Sequence, residues 1–447
     1  MNLIAGLLIV TSLLSADTVP ERTLTLDEAY NLALKHSLSV MQAANTAANA
    51  DDDVWAAAGS MLPFISLSGS RTRNWGSTTG YNFNRFGGST TPLLGTTSGT
   101  TRSDSYSAST SAQQVLFAGG SLARQYIAAR ANADAAHISS WSAKQDLLLA
   151  TLQLYFNARA SSEASEAARI AAAAAKSHQI LTERKLQLGA ATESDRLQAQ
   201  TSALQAELTA MDATNAAAIA QATLCRALGI PLNTRLELSF ELPALSGKAD
   251  ESVYLARAKS GRPEIALARA NLAAAHNSKW AVFGGFLPKV SADASYGWSD
   301  SEPPGKNPWR DNDYHSVGLN FSWDIFDQFS TPTSFSKQGR AATLAEENNR
   351  QVIEDTELQV HTAYLNFQKS EKRLELTSAA RQSAAAALKL VERGYELGGA
   401  TILELEDAQA TALNAEVDYI NAKYEGLVNW ATLKKQMGEL KMEGLWE

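Results

Sequence analysis

Two related stretches of this chain decide its fold. Residues Glu183 to Thr192 read ERKLQLGAAT and residues Glu392 to Thr401 read ERGYELGGAT, with an offset of 209 residues between them. The same offset relates further identical residues on both sides: Phe117 and Phe326, Tyr155 and Tyr364, Asn157 and Asn366, Gln200 and Gln409, and Leu204 and Leu413. Because chance similarity does not keep one offset over such a distance, the chain consists of two copies of one unit.

A larger offset relates the earlier part of each copy. Four residues keep an offset of 225: Trp55, Gly59, Leu62 and Pro63 correspond to Trp280, Gly284, Leu287 and Pro288. The offsets of 209 and 225 differ by sixteen residues, which predicts an insertion of that size in the first copy. Insertions are tolerated in exposed loops, so the insertion marks a loop tip. We expect a first repeat over residues 17–240 and a second over residues 241–447.

Each copy is predicted to contain two strands joined by a polar loop. Val317, Leu319 and Phe321 alternate with polar residues, as one face of a strand requires. The predicted strands cover about 63–75, 104–117, 288–299 and 314–326, with loops over residues 74–103 and 299–313. Alternation over about ten residues is typical of a strand that crosses a membrane. A half-buried strand in a soluble sheet gives the same pattern, so both interpretations stay open here.

Long helices follow each strand pair. Proline-free helical runs are predicted over about 121–188, 193–228, 337–397 and 403–437. The first would extend about 100 Å at ~1.5 Å per residue, which indicates a coiled-coil or tube-like element. Gly189 and the pair Gly398 and Gly399 interrupt these runs, and such glycines allow the chain to reverse.

The composition excludes several classes of function. The net charge of −8 and pI near 5.4 leave no basic face for nucleic acid. The single cysteine, Cys225, excludes an intrachain disulfide and a cysteine-rich zinc site. No two histidines are three or four residues apart, and no phosphate-binding loop or nucleophile elbow is present. We therefore expect no enzymatic activity, no cofactor and no metal.

The first sixteen residues are typical of a secretory signal peptide. Residues Leu3 to Leu14 are almost wholly apolar, a run too short to cross a membrane as a helix. Ser15 and Ala16 provide the small residues that precede a cleavage site. We expect residues 1–16 to direct export, with a buried helix as the alternative.

The order of these segments resembles the TolC family of outer-membrane efflux proteins. The most specific shared pieces are LP at 62–63 and at 287–288, QVLFAGG at 114–120, both Leu-Gly turns, and RALG at 226–229. The resemblance covers nearly the whole chain and implies a mixed α and β membrane protein with two internal repeats. Each chain of a homotrimer would contribute four strands to one transmembrane β-barrel in the outer membrane. A long α-helical barrel would continue it into the periplasm.

The resemblance also implies a function. The trimer would be the exit duct of a tripartite efflux or type I secretion system, a passive channel that a periplasmic adaptor protein opens and joins to an inner-membrane pump. By position, the family's gate and selectivity residues fall on Asp195, Tyr395, Glu404 and Asp407, and its adaptor-docking tips fall on Leu188, Gly189, Leu397 and Gly398. The arginine that ties the gate shut in the family's best-known member falls on Ala400, so the lock must differ here.

Two other classes compete with the duct. A soluble or periplasmic helical scaffold without transport activity would use the same long helices. A stand-alone porin is nearly all strand, so the predicted helices argue against it. Ducts of this shape export drugs, metals and polypeptides, and the sequence is compatible with each.

Overall fold

Long helices and one extended sheet dominate a computed structural model of the chain. The structure describes residues 21–84, 93–240, 250–301 and 312–446, so the predicted signal peptide and the central part of both predicted loops lie outside the described residues. The helices are α1 (Leu26–His36), α2 (Leu38–Gly59), α3 (Ser121–Gln187), α4 (Glu193–Leu228), α5 (Glu251–Gly261), α6 (Pro263–Phe283), α7 (Ser330–Leu397) and α8 (Ile402–Gln436). The strands are β1 (Glu21–Leu24), β2 (Phe64–Asn84), β3 (Leu93–Ala118), β4 (Arg235–Leu238), β5 (Lys289–Asp300) and β6 (Asp313–Ser322). Among the described residues, no helix is both long and apolar enough to cross a membrane.

Four strands form one antiparallel sheet in the order β2-β3-β5-β6. The central pair joins β3 of the first repeat to β5 of the second, for example Ser111 opposite Ser295. One face of the sheet has an apolar part, on which Leu67, Val317 and Leu319 are 80%, 87% and 73% exposed. Further along the same face, Arg73 pairs with Asp104. Side chains this apolar are rarely left in water as a continuous surface.

The first strand pair is longer than the sequence predicts. Residues 74–84 and 93–103, which the sequence assigns to a loop, continue β2 and β3 in unbroken register. Serine, threonine and glycine favour turns locally. Here the backbone hydrogen bonds between β2 and β3 outweigh that local preference. The last strand is shorter than predicted: β6 ends at Ser322, and α7 already begins at Ser330.

The chain forms two compact units, and each unit combines segments of both sequence repeats. Of the described residues, the first unit contains those up to Thr46, those within Ala136–Leu267 and those from Asn349 onward. The second unit contains those within Ala47–Ala135 and Ala268–Asn348. In the first unit, β1 pairs with β4 in parallel beside a buried core of helical side chains. Tyr155 lies in this core and donates to the carbonyl oxygens of Leu24 and Ser239 at 3.0 and 2.9 Å. Burial raises the pKa of Tyr155 to about 12.

Two glycines allow the strand-to-helix junction of the second unit to pack closely. A Cβ on Gly119, whose φ is +61°, would lie 2.4 Å from the carbonyl oxygen of Gly284. A Cβ on Gly284 would lie 2.9 Å from the carbonyl oxygen of Ala118 and 2.9 Å from Cβ of Ser121. A side chain on either glycine would therefore clash with the backbone of the facing segment.

We predict that Gly284→Ala destabilises the protein by about 1–3 kcal/mol, because the added methyl group overpacks the junction. The measurement is thermal unfolding of the purified protein followed by far-ultraviolet circular dichroism. Gly59→Ala is the matched control, since a Cβ on Gly59 has no atom within 4 Å. Equal melting temperatures for the two variants would contradict the prediction.

Candidate functional site

The chain reverses direction twice through the same local structure. Gly189 ends α3 with φ +75°, and Gly398 ends α7 with φ +79°. At the first reversal the N–H of Ala190 donates to the carbonyl of Lys185 at 2.7 Å; at the second, Gly399 donates to Gly394 at 2.8 Å. This is the Schellman motif, in which glycine takes the left-handed conformation. We call these two helix-turn-helix ends the tips: Leu188 to Asp195 and Leu397 to Asp407.

An acidic capping box begins the helix that follows each tip. Thr192 and Asp195 exchange hydrogen bonds at the start of α4, with the Thr192 N–H 2.8 Å from Oδ2 of Asp195. Thr401 and Glu404 do the same at the start of α8, with the Thr401 N–H 2.7 Å from Oε2 of Glu404. These partners satisfy backbone groups that a helix start leaves free.

Hydrogen bonding favours the ionised form of both cap carboxylates. The N–H and then the hydroxyl of Thr192 lower the pKa of Asp195, and those of Thr401 lower the pKa of Glu404. Since these pKa values lie below those of the unfolded chain, the caps stabilise the helix starts above the ordinary carboxyl pKa of ~4. That contribution is lost as the pH falls below this range.

Tyr395 is a buried anchor between α7 and α3. Its hydroxyl lies 2.6 Å from Oγ1 of Thr182, and Thr182 donates to the carbonyl of His178, so Tyr395 is the donor of the pair. The ammonium of Lys185 lies 4.0 Å from the centre of the Tyr395 ring and donates to its backbone carbonyl. Such a cation over an aromatic face is attractive. The side chain is 6% exposed, so it lies within the chain and not at the surface.

Asp407 lies in a groove of about 390 Å³ between α3, α4 and α8. Its neighbour Glu406 accepts a hydrogen bond of 2.7 Å from Gln198, which ties α8 to α4. Two of the predicted docking residues project from the tips, since Leu188 is 83% exposed and Leu397 is 74% exposed. A Cβ on Gly189 or Gly398 would contact nothing within 4 Å.

The predicted gate residues thus lie at separate positions, and Asp195 and Tyr395 have different hydrogen-bond partners. The described hydrogen bonds of Asp195 go to Thr192, and that of the Tyr395 hydroxyl goes to Thr182. Sequence comparison did not identify Thr182 or Lys185, because the repeat places Val391 and Gly394 at the equivalent positions. Within the described ranges, no group of three or more histidine, cysteine or acidic side chains could hold a metal.

Comparison with known proteins places the chain in a family. A family model described as "Outer membrane efflux protein" matches residues 29–230 and 254–439, which cover most of both predicted repeats and contain both tips. The chain belongs to the outer membrane efflux protein family. This member is accordingly located in the outer membrane of the cell.

Curated relatives carry the same family resemblance. Outer membrane protein TolC of Escherichia coli is 29% identical over 175 residues, which cover 36% of this chain and 34% of TolC. The match therefore spans about a third of the length of that relative. Alkaline protease secretion protein AprF of Pseudomonas aeruginosa is 25% identical over 342 residues, covering 75% of this chain and 70% of AprF.

Solved structures share the fold of this family member. The Campylobacter jejuni CmeC outer membrane channel matches with a TM-score of 0.79 at 17% identity, over 94% of this chain and 86% of CmeC. The open state of the Neisseria gonorrhoeae MtrE outer membrane channel matches with a TM-score of 0.74 at 19% identity, over 93% of this chain and 89% of MtrE. Both neighbours are described as channels.

We predict that Tyr395→Phe loosens the end of α7, because it removes the hydrogen bond to Thr182. A lost buried hydrogen bond costs about 1 kcal/mol, so amide exchange over the last turns of α7 should accelerate roughly fivefold. The measurement is hydrogen-deuterium exchange by mass spectrometry. Tyr419→Phe is the control. The contact of Tyr419 is made by its ring, which lies 4.3 Å from the guanidinium of Arg381, and the substitution keeps the ring. Unchanged exchange in the Tyr395 variant would show that this hydrogen bond does not hold α7.

Proposed function

We propose that this protein is the outer-membrane exit duct of a tripartite efflux or type I secretion system. The observation that supports it best is the family match over both repeats, residues 29–230 and 254–439. The name of AprF, alkaline protease secretion protein, is consistent with an export role for this relative. A passive duct needs no catalytic residues, because the pump to which it is coupled provides the energy.

The working form in this proposal is a homotrimer in outer-membrane lipid. The described sheet ends on one side at β2 and on the other at β6. An open sheet edge is not tolerated in hydrocarbon, so strands that cross a membrane must close on other strands. Three copies would supply twelve strands for one transmembrane β-barrel, and their long helices would continue it as an α-helical barrel in the periplasm.

The tips are the proposed gate of the duct. Glu404 and Asp407 would form two rings of carboxylates in the trimer, which favour cations and repel anions. Asp195 and Tyr395 would stabilise the closed state, Asp195 as a helix cap and Tyr395 as the anchor of α7 on α3. Ala400 has no group for a hydrogen-bonded lock, so closure here depends on this packing and not on an arginine.

The same tips are the proposed docking surface for a periplasmic adaptor protein, which would open the gate and connect the duct to an inner-membrane pump. Leu188 and Leu397 present exposed apolar side chains at the two reversals. Gly189 and Gly398 have open space around them, so a partner backbone could approach closely.

The first test is purification and reconstitution of the full-length chain. We expect a trimer in the unheated outer-membrane extract and an ion-conducting pore in planar lipid bilayers. A monomer that purifies without detergent would support the scaffold alternative and overturn the duct.

Variants at the tips test docking in the same preparation. Leu188→Ser combined with Leu397→Ser should leave the trimer intact and abolish crosslinking to the adaptor protein. Leu232→Ser is the matched control, since Leu232 is 62% exposed and lies outside both tips. Normal adaptor crosslinking by the double variant would reject the tips as the docking surface.

We predict that Glu404→Gln combined with Asp407→Asn lowers the cation preference of the pore. Removing two carboxylates from each copy should reduce the K⁺/Cl⁻ permeability ratio about twofold or more. The ratio is obtained from reversal potentials across a KCl gradient. Glu375→Gln is the control, because this exposed carboxylate pairs with Lys372 within α7. An unchanged ratio in the double variant would remove Glu404 and Asp407 from the gate.

A further inference from the structure

The second face of the four-stranded sheet consists mainly of hydroxyl groups. The register places four serines in one row across all four strands: Ser66, Ser111, Ser295 and Ser316. The oxygens of Ser66 and Ser111 are 2.8 Å apart, as are those of Ser295 and Ser316. A further serine pair lies in the next row, Ser68 with Ser109 at 2.9 Å. We call this surface the hydroxyl face.

Charge is nearly absent from the hydroxyl face. Alternate residues of β2 from Phe64 to Asn74, and of β3 from Ser103 to Gln113, are all uncharged. The same holds along β6 from Tyr314 to Ser322. On the corresponding residues of β5, the described part of this face carries two charges, Asp293 and Lys289. The carboxylate of Asp293 lies one row from the serine row.

The sheet makes specific room for the Asp293 carboxylate. Its neighbours in the register are Gly318 on β6 and Gln113 on β3. A Cβ on Gly318 would lie 3.1 Å from both carboxylate oxygens of Asp293, so the carboxylate occupies space that a side chain would fill. The amide of Asn320 donates to Oδ1 of Asp293 and fixes its orientation. Asp293 is half-buried on this face.

We propose that Asp293 is a charge-selectivity residue of the strand segment of the duct, separate from the carboxylates of the tips. This inference rests on the proposed function, in which the hydroxyl face lines the pore and the apolar face contacts lipid. One Asp293 from each copy would form a ring of three carboxylates. Lipid around the strands keeps the local dielectric low, so a few fixed charges raise the concentration of cations within the pore. The surrounding hydroxyls solvate ions of either sign and leave the selection to Asp293.

The test isolates Asp293 from the tips. The parent protein carries Glu404→Gln and Asp407→Asn, and its K⁺/Cl⁻ permeability ratio is measured from reversal potentials in planar bilayers. Adding Asp293→Asn should lower this ratio about twofold or more. Adding Lys289→Gln should raise the ratio, because it removes the cation on the same face. Ser295→Ala should leave it unchanged.

The outcomes separate this inference from the proposed function. An unsubstituted chain that forms no conducting trimer would overturn the duct itself. A parent that conducts, with the same permeability ratio after Asp293→Asn, would overturn the role of Asp293 alone. If Asp293→Asn does not assemble, Asp293→Ser provides the same test, because serine already fills the neighbouring positions of this face. Equal ratios for the parent and that variant reject the proposal as well.

Discussion

The two outer strands of the sheet impose the constraint on which the rest of the structure depends. β2 and β6 are the last strands of the described sheet, and their outer sides carry backbone N–H and C=O groups. In water these groups would be hydrated, but in hydrocarbon each unsatisfied group costs several kcal/mol. If this sheet crosses the outer membrane as we propose, its apolar surface and two open edges require neighbouring strands from other chains. Our proposals of a trimer, a closed barrel and a lined pore all follow from this requirement.

In the proposed duct, one face of the sheet contacts lipid and the other faces water. Exposed aliphatic side chains such as Val317 and Leu319 occupy part of one face, and paired serines lie on the other. A sheet of a soluble protein would bury its aliphatic face against helices, but here these side chains are largely exposed in the single chain. The hydroxyl face is almost uncharged, so in the proposed pore a single carboxylate such as Asp293 has a large effect on ion selectivity.

The tips use one structural solution twice, yet they differ in chemistry. Both reversals combine a left-handed glycine with a threonine capping box, and this identity follows from the sequence repeat. The buried anchor joins the two sequence repeats of one chain: Tyr395 of the second repeat pairs with Thr182 of the first. The two reversals are alike because the repeats share a sequence there. The contact that holds α7 on α3 exists because the two repeats differ in sequence at these positions.

The sequence alone determined the duplicated plan, the two reversals and the alternation of the strands. These features are local: glycine conformation, capping spacing and a period of two are properties of short segments. It also identified the family, through motifs distributed along the chain, which the family match confirms.

Only the tertiary structure decided how far the first strands extend and which side chains meet across segments. Residues 74–84 and 93–103 have the composition of a loop, and they form strands because each is paired with the other. Likewise the partners of Tyr395 and of Asp293 come from other helices and strands, so no local pattern predicts them. Cross-strand register and helix packing depend on contacts between residues far apart in the chain, and a short segment of sequence does not predict these contacts.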